Sequence, residues 1–175
     1  MVPLPEKDKT FHDQEVTVLV AQMLFGEARG EPEFAIQGVA CVAMNRLVHY
    51  RKEYGIRDWA GILLHPFAFD CFKAQVPQMQ NPLHYESESV WEKCYGVAMK
   101  VMSGQLHDHP VAEQRCTFYH SFNLEDKDKL PYWAKPGKHE LEHVIDLGHL
   151  HFYRYPEMYT SAVGGSSIEE GALGG

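Results

Sequence analysis

Two uncharged, apolar-rich runs, Val16 to Gly26 and Ala35 to Asn45, constrain this chain more than any other feature. Each is too short to cross a bilayer, which takes about 20 apolar residues, so both must bury themselves in protein. In the first run, Val16, Leu19, Val20, Met23 and Leu24 recur at three- and four-residue spacing, the period of a helix with one apolar face. Asp13 stands where an N-cap belongs, which predicts a helix from there to about Phe25, broken by Gly26. In the second, Ile36, Val39, Ala40, Ala43, Met44, Leu47 and Val48 keep the same period and predict a longer helix from about Glu33 to Tyr54.

A short helical turn is expected around Asp58 to Leu64, ending at Pro66, and an aromatic-rich loop from Pro66 to Pro82. Glu86 to Met102 reads as a third main helix, stopped by Ser103-Gly104. Two strands follow, Thr117 to Phe122 and His149 to Tyr155, on either side of a polar, hairpin-like excursion from Asn123 to Lys138. Helices first and strands later predict an α+β fold, mainly helical, with a small antiparallel sheet in the C-terminal half. The expected organisation is a loose arm over residues 1–12, one domain over 13–158, and a flexible Gly- and Ser-containing tail over 159–175.

With 16 basic and 24 acidic residues, a net charge of −8, the chain is not a general nucleic-acid binder, because such binding rests on phosphate neutralisation. Met1 to Asp13 is polar and contains Pro3 and Pro5, unlike a basic-then-apolar leader, so the expectation is a product made in the cytoplasm without stable membrane insertion. The four cysteines, Cys41, Cys71, Cys94 and Cys116, form no C-x-x-C pair and suit free, buried thiols.

Glu27 directly follows Phe25 and a glycine at the edge of an apolar helix. Partial desolvation of a carboxyl there favours its protonated form, the state that a general acid needs to protonate a glycosidic oxygen. The surrounding residues carry a resemblance. Leu24-Phe25-Gly26-Glu27-Ala28-Arg29-Gly30-Glu31-Pro32 and Val39-Ala40-Cys41-Val42-Ala43-Met44-Asn45-Arg46 resemble the spore-cortex lytic enzyme family of cell-wall hydrolases. The likeness continues, in family order, through Gly61 to Cys71, Thr117-Phe118-Tyr119-His120, Pro131-Tyr132-Trp133-Ala134 and Leu147 to Arg154.

The resemblance implies a lysozyme-like fold that cleaves the MurNAc–GlcNAc bond of peptidoglycan, with Glu27 as the catalytic acid and no cofactor or metal. Enzymes of this kind are lytic transglycosylases that use one Glu twice, first as acid and then as base, and need no second carboxylate. Glu31 and Asp70 are the candidates for one, and Asp70 stands where the family often has Ser, which keeps hydrolysis open. Both join Tyr119, His120 and Tyr132 as candidate substrate-binding residues of a cleft, with Trp133 divided between cleft and core. Arg29 is expected to brace the loop, through Glu31 or backbone carbonyls. Delivery to the cell wall fits a phage lysis or virion enzyme, or a secreted bacterial one.

Two other classes compete. His139-Glu140-Leu141-Glu142-His143 matches H-E-x-x-H, with His149 at the spacing of a third zinc ligand, which is the pattern of a zinc metalloprotease or amidase. Asp146 stands where the metzincin glycine belongs, and Leu141, His143, Ile145 and Leu147 also alternate as in a strand, where residues four apart cannot share one ion. The third class is a glycan-binding module without catalysis.

Overall fold

A computed structural model of the chain describes residues 1–137 and 141–156. The fold is α+β: eight helices among the described residues, then a three-stranded antiparallel sheet. The helices are α1 (Val16–Ala28), α2 (Glu33–Val48), α3 (Trp59–Leu63), α4 (Cys71–Ala74), α5 (Val76–Gln80), α6 (Pro82–Tyr85), α7 (Glu88–Met102) and α8 (Pro110–Glu113). The strands are β1 (Phe118–His120), β2 (Glu142–Leu147) and β3 (Leu150–Arg154), in sheet order β1-β3-β2. No described helix is long and apolar enough to cross a membrane.

α1 and α2 are buried on nearly all sides and form the centre of the molecule, with α7 packed against both. Phe25, Trp91 and Phe152 are each at most 1% exposed and join α1, α7 and the sheet in one apolar core. The cap of α1 is Glu15 rather than Asp13, its carboxylate accepting from the Thr17 and Val18 amides at 3.0 and 3.1 Å. Asp13 instead belongs to a single 3₁₀ turn, Phe11–Asp13.

Gly26 does not end the helix, which runs on to Ala28. A Cβ at this position would lie 2.5 Å from Cys71 Cβ and 2.6 Å from Met79 Sδ. The glycine is there for close packing of α1 on α4 and α5, and this packing carries Glu27 to the start of α4. α2 stops at Val48, short of Tyr54, where the Arg57 side chain takes over the Leu47 and Val48 carbonyls at 3.1 and 3.2 Å. The stretch expected as loop between Pro66 and Pro82 contains α4 and α5 and begins α6.

The first residues are held rather than loose. Trp91 Nε1 donates to the Pro3 carbonyl at 2.9 Å, and Val2 and Leu4 pack on the core. Residues 157–175, including the whole of the expected tail over 159–175, lie outside the described residues. In the sheet, β2 and β3 form a hairpin around Gly148-His149, with Gly148 at φ +57°. Register pairs Tyr119 with Phe152 and His120 with His151, so these two pairs lie on opposite faces of the sheet.

Candidate active site

Three segments meet at Glu27. The last turn of α1 carries it, the loop before α4 brings the Cys71 amide, and β1 brings Tyr119. Cys71 N donates to Glu27 Oε1 at 2.9 Å, and the Tyr119 hydroxyl donates to Oε2 at 2.6 Å. The side chain is half-buried, so both oxygens are oriented while solvent still reaches the group. Burial, then the charge of Glu27, push the Tyr119 phenol far above its ordinary range. Tyr119 therefore keeps its proton near neutral pH and stays a hydrogen-bond donor. The Cys71 thiol is pushed up by the same two causes and stays protonated, which removes it as a nucleophile.

The other three cysteines are also free and buried, and burial pushes each up to about 12. None is a reactive thiolate near neutrality.

Arg46, near the end of α2, ties together the two segments that supply donors to Glu27. Its Nε donates to the Thr117 carbonyl at 2.8 Å, at the edge of β1, and its Nη1 to the Ala68 carbonyl at 3.5 Å, on the loop before α4. The guanidinium lies over the rings of Phe69, Phe118 and Tyr54 at 5.1, 5.3 and 5.5 Å. Burial pulls its pKa down, and Tyr54, Tyr119, Tyr155 and Glu27 oppose that pull. A positive charge is thereby fixed in the protein beneath the Glu27 site. The clue in the sequence is a single arginine closing an otherwise apolar helical run.

The remaining candidates separate. Glu31, one turn beyond Glu27, points to the β2–β3 hairpin, accepting from the His149 amide at 3.1 Å and facing His149 Nδ1 at 3.3 Å. Gly148 makes room for this clasp, since a Cβ there would lie 2.3 Å from Glu31 Oε2. Glu31 is therefore a fastening between the α1–α2 turn and the sheet, and its carboxylate is engaged. Asp70 is exposed, immediately before Cys71, and makes no capping bond to α4. Tyr132 is 66% exposed on a 3₁₀ turn, Tyr132–Ala134. Trp133 packs half-buried against Phe118, Tyr153 and His120.

His120 lies on the face of the sheet turned away from Tyr119 and Glu27. It is buried, accepts from the Phe122 amide through Nδ1 at 3.1 Å, and meets the Tyr153 hydroxyl through Nε2 at 3.0 Å. Burial, with His151 and His143 beside it, holds its pKa at about 4, so it is a neutral imidazole. Arg29 braces the end of α1 through the Phe25 carbonyl at 3.0 Å, Gln75 at 2.7 Å and Glu86 at 3.2 Å, not through Glu31.

Compared with known proteins, the chain matches no family model, no curated protein and no solved structure. The site therefore stands on its own geometry. His139 and Glu140 of the H-E-x-x-H pattern lie outside the described residues. From Glu142 on the chain is a strand, and His149 sits in the hairpin turn against Glu31. The helix that lets a zincin histidine pair share one ion is not the geometry around His143.

One residue without a place among the sequence candidates is Phe67, on the loop between α3 and α4. It is 85% exposed and holds φ at 65°, a left-handed backbone that a bulky residue adopts only at a cost. Lys73 Nζ lies 3.8 Å from its ring centre.

Proposed function

We propose that the chain is a peptidoglycan glycosidase that cleaves the MurNAc–GlcNAc bond as a lytic transglycosylase, with Glu27 as its acid and base. The observation that carries this reading is a half-buried carboxylate with each oxygen oriented by a fixed donor from a different segment. A general acid must hold its proton in one direction while the leaving oxygen departs, and such an arrangement meets that need. The family resemblance around Glu27, Cys71 and Tyr119 supports the same assignment.

In the first step, protonated Glu27 gives its proton to the glycosidic oxygen as the bond from muramic C1 to that oxygen breaks, freeing the GlcNAc 4-hydroxyl. In the second, the Glu27 carboxylate takes the proton of the muramic 6-hydroxyl as that oxygen bonds to C1. A 1,6-anhydro ring results, and Glu27 is again protonated. Tyr119 and the Cys71 amide hold the two carboxylate oxygens in place between the two steps. The engagement of Glu31 by His149 supports single-carboxylate chemistry over a retaining pair, whose carboxyls stand about 5 Å apart. Phe67 and Tyr132 are exposed aromatic surfaces suited to stacking on sugar rings.

The test is mass spectrometry of soluble fragments released from purified peptidoglycan by the wild-type chain and by Glu27→Gln. Anhydro-muropeptides from the wild type alone support the proposal. Reducing ends would replace transglycosylation by hydrolysis and direct attention to Asp70. Equal release by both proteins, or release by neither, would refute it.

A further inference from the structure

On the face of the sheet turned away from Glu27, two imidazoles converge on one carboxylate oxygen. His143 Nε2 lies 2.5 Å from Asp146 Oδ1, and His151 Nδ1 lies 2.7 Å from the same atom. Among the described residues, this is the one group of three metal-ligating side chains whose donor atoms all lie within 4.8 Å of one another. Regular strand geometry would forbid it, because residues three apart in a strand point to opposite faces. The register of β2 slips between His143 and Ile145, so His143 stands opposite Tyr153 while Asp146 stands opposite His151. This bulge turns His143 and Asp146 to the same side, beside His151 on the neighbouring strand. Bulges of this kind re-aim side chains and are frequent near functional sites.

We propose that His143, Asp146 and His151 form a binding site for a divalent transition-metal ion of the zinc class, with one coordination position left to water. Two imidazole nitrogens and one carboxylate oxygen are a donor set that zinc takes in preference to calcium or magnesium, which favour all-oxygen sites. In a tetrahedral site with bonds of about 2 Å, neighbouring donors stand about 3.3 Å apart, so the two contacts to Asp146 need to open by less than an ångström while the two imidazole nitrogens already lie within 4.8 Å of each other. The side chains permit both entry and adjustment, His143, Asp146 and His151 being 37%, 47% and 18% exposed. The ion would bridge β2 to β3 and stiffen the hairpin. It shares only His143 with the H-E-x-x-H pattern. It is also independent of the chemistry assigned to Glu27, so neither assignment falls with the other.

The experiment is calorimetric titration of the metal-stripped full chain with Zn²⁺ near neutral pH, with Co²⁺ in parallel to read coordination from its visible spectrum. The expected result is one ion per chain and a Co²⁺ spectrum with nitrogen and oxygen donors. Asp146→Asn and His151→Gln should each bind roughly tenfold more weakly or worse, while His149→Gln and His139→Gln bind as the wild type. Absence of saturable binding overturns the proposal, and so does unchanged affinity in Asp146→Asn and His151→Gln. Loss of binding in His149→Gln or His139→Gln with retention in Asp146→Asn would also overturn it, assigning the ion to the sequence pattern. Should either variant fail to fold, the wild-type imidazole nitrogen spectrum decides: Zn²⁺ must shift His143 Nε2 and His151 Nδ1, and no shift refutes the site.

Discussion

Substituting alanine for Gly26 should destabilise the protein, against the rule that alanine is the better helix former. In an unobstructed helix interior, Gly→Ala gains about 0.5–1 kcal/mol. At Gly26 the new methyl would meet Cys71 Cβ at 2.5 Å and Met79 Sδ at 2.6 Å. Ordinary carbon contacts lie at about 3.5–4.0 Å, so each neighbour would have to retreat by about 1 Å. Met79 is a flexible thioether and can move, but Cys71 Cβ is fixed to the backbone whose amide binds Glu27. Overpacking of this kind costs about 1–3 kcal/mol, which leaves a net loss of up to about 2.5 kcal/mol after the propensity gain. Gly96, inside α7, is the matched control, because a Cβ there has no neighbour within 4 Å. Urea denaturation of Gly26→Ala, Gly96→Ala and wild type reads the difference as shifts in midpoint at constant slope. Gly26→Ala should unfold at lower urea and Gly96→Ala at higher. If Gly26→Ala unfolds at higher urea, as Gly96→Ala is expected to, close packing is not the reason for the glycine. The same retreat would pull the Cys71 amide from Glu27 Oε1, so Gly26→Ala should also lose peptidoglycan cleavage under conditions where it remains folded.

Three further outcomes are expected. Tyr119→Phe keeps the ring among Phe69 and Phe152 but removes the donor to Glu27 Oε2; cleavage should fall roughly tenfold or more, with about 1–3 kcal/mol lost from stability, and a wild-type cleavage rate would remove Tyr119 from the site. His109 is buried and neutral, since the Val111 amide donates to its Nδ1 while Nε2 meets the Phe34 carbonyl, and burial lowers its pKa. The unfolded chain takes up that proton first as pH falls below about 6.5, so stability should drop there by at most about 1.4 kcal/mol per pH unit for this group. His109→Gln should flatten the dependence of the urea midpoint on pH, and an unchanged slope would dismiss this account. Phe67→Gly relieves a left-handed backbone worth about 1–2 kcal/mol against the glycine's own entropic cost, so stability should hold or rise slightly. If the ring stacks on sugar, the same variant should sediment less with insoluble peptidoglycan, and equal retention would reject that role.

The parts of the fold legible in the sequence were those governed by local period and by punctuation. α1 and α2 follow from apolar spacing, and the stop of α7 from Ser103-Gly104. Glu27 stands out as a candidate in the sequence because it lies in a glycine-bearing block between two apolar helices, and its neighbours extend the resemblance. What escaped were contacts between distant segments. Gly26 reads as a helix breaker when only its own propensity counts, and as a packing necessity once Cys71 and Met79 are seen beside it. Arg46 and the Cys71 amide escaped because backbone carbonyls and amides leave no trace in residue identity. His120 and Tyr119 are adjacent in sequence, and only the register of β1 on β3 says which of them faces Glu27. The trio on the outer face escaped because a bulge interrupts the two-residue period by which a strand is read.

The bonds around Glu27 also set an order in time. Its donors come from 44 and 92 positions away, and the Glu31 clasp to His149 spans 118. Closing such long loops costs entropy that local helix formation does not, so α1 and α2 can form before the groups that orient Glu27 arrive. In refolding, recovery of helical signal should therefore run ahead of, or at most with, recovery of cleavage, and never behind it. A nascent chain would carry Glu27 long before the groups that orient it are in place, and the carboxylate acquires its fixed geometry only when β1 and the hairpin dock.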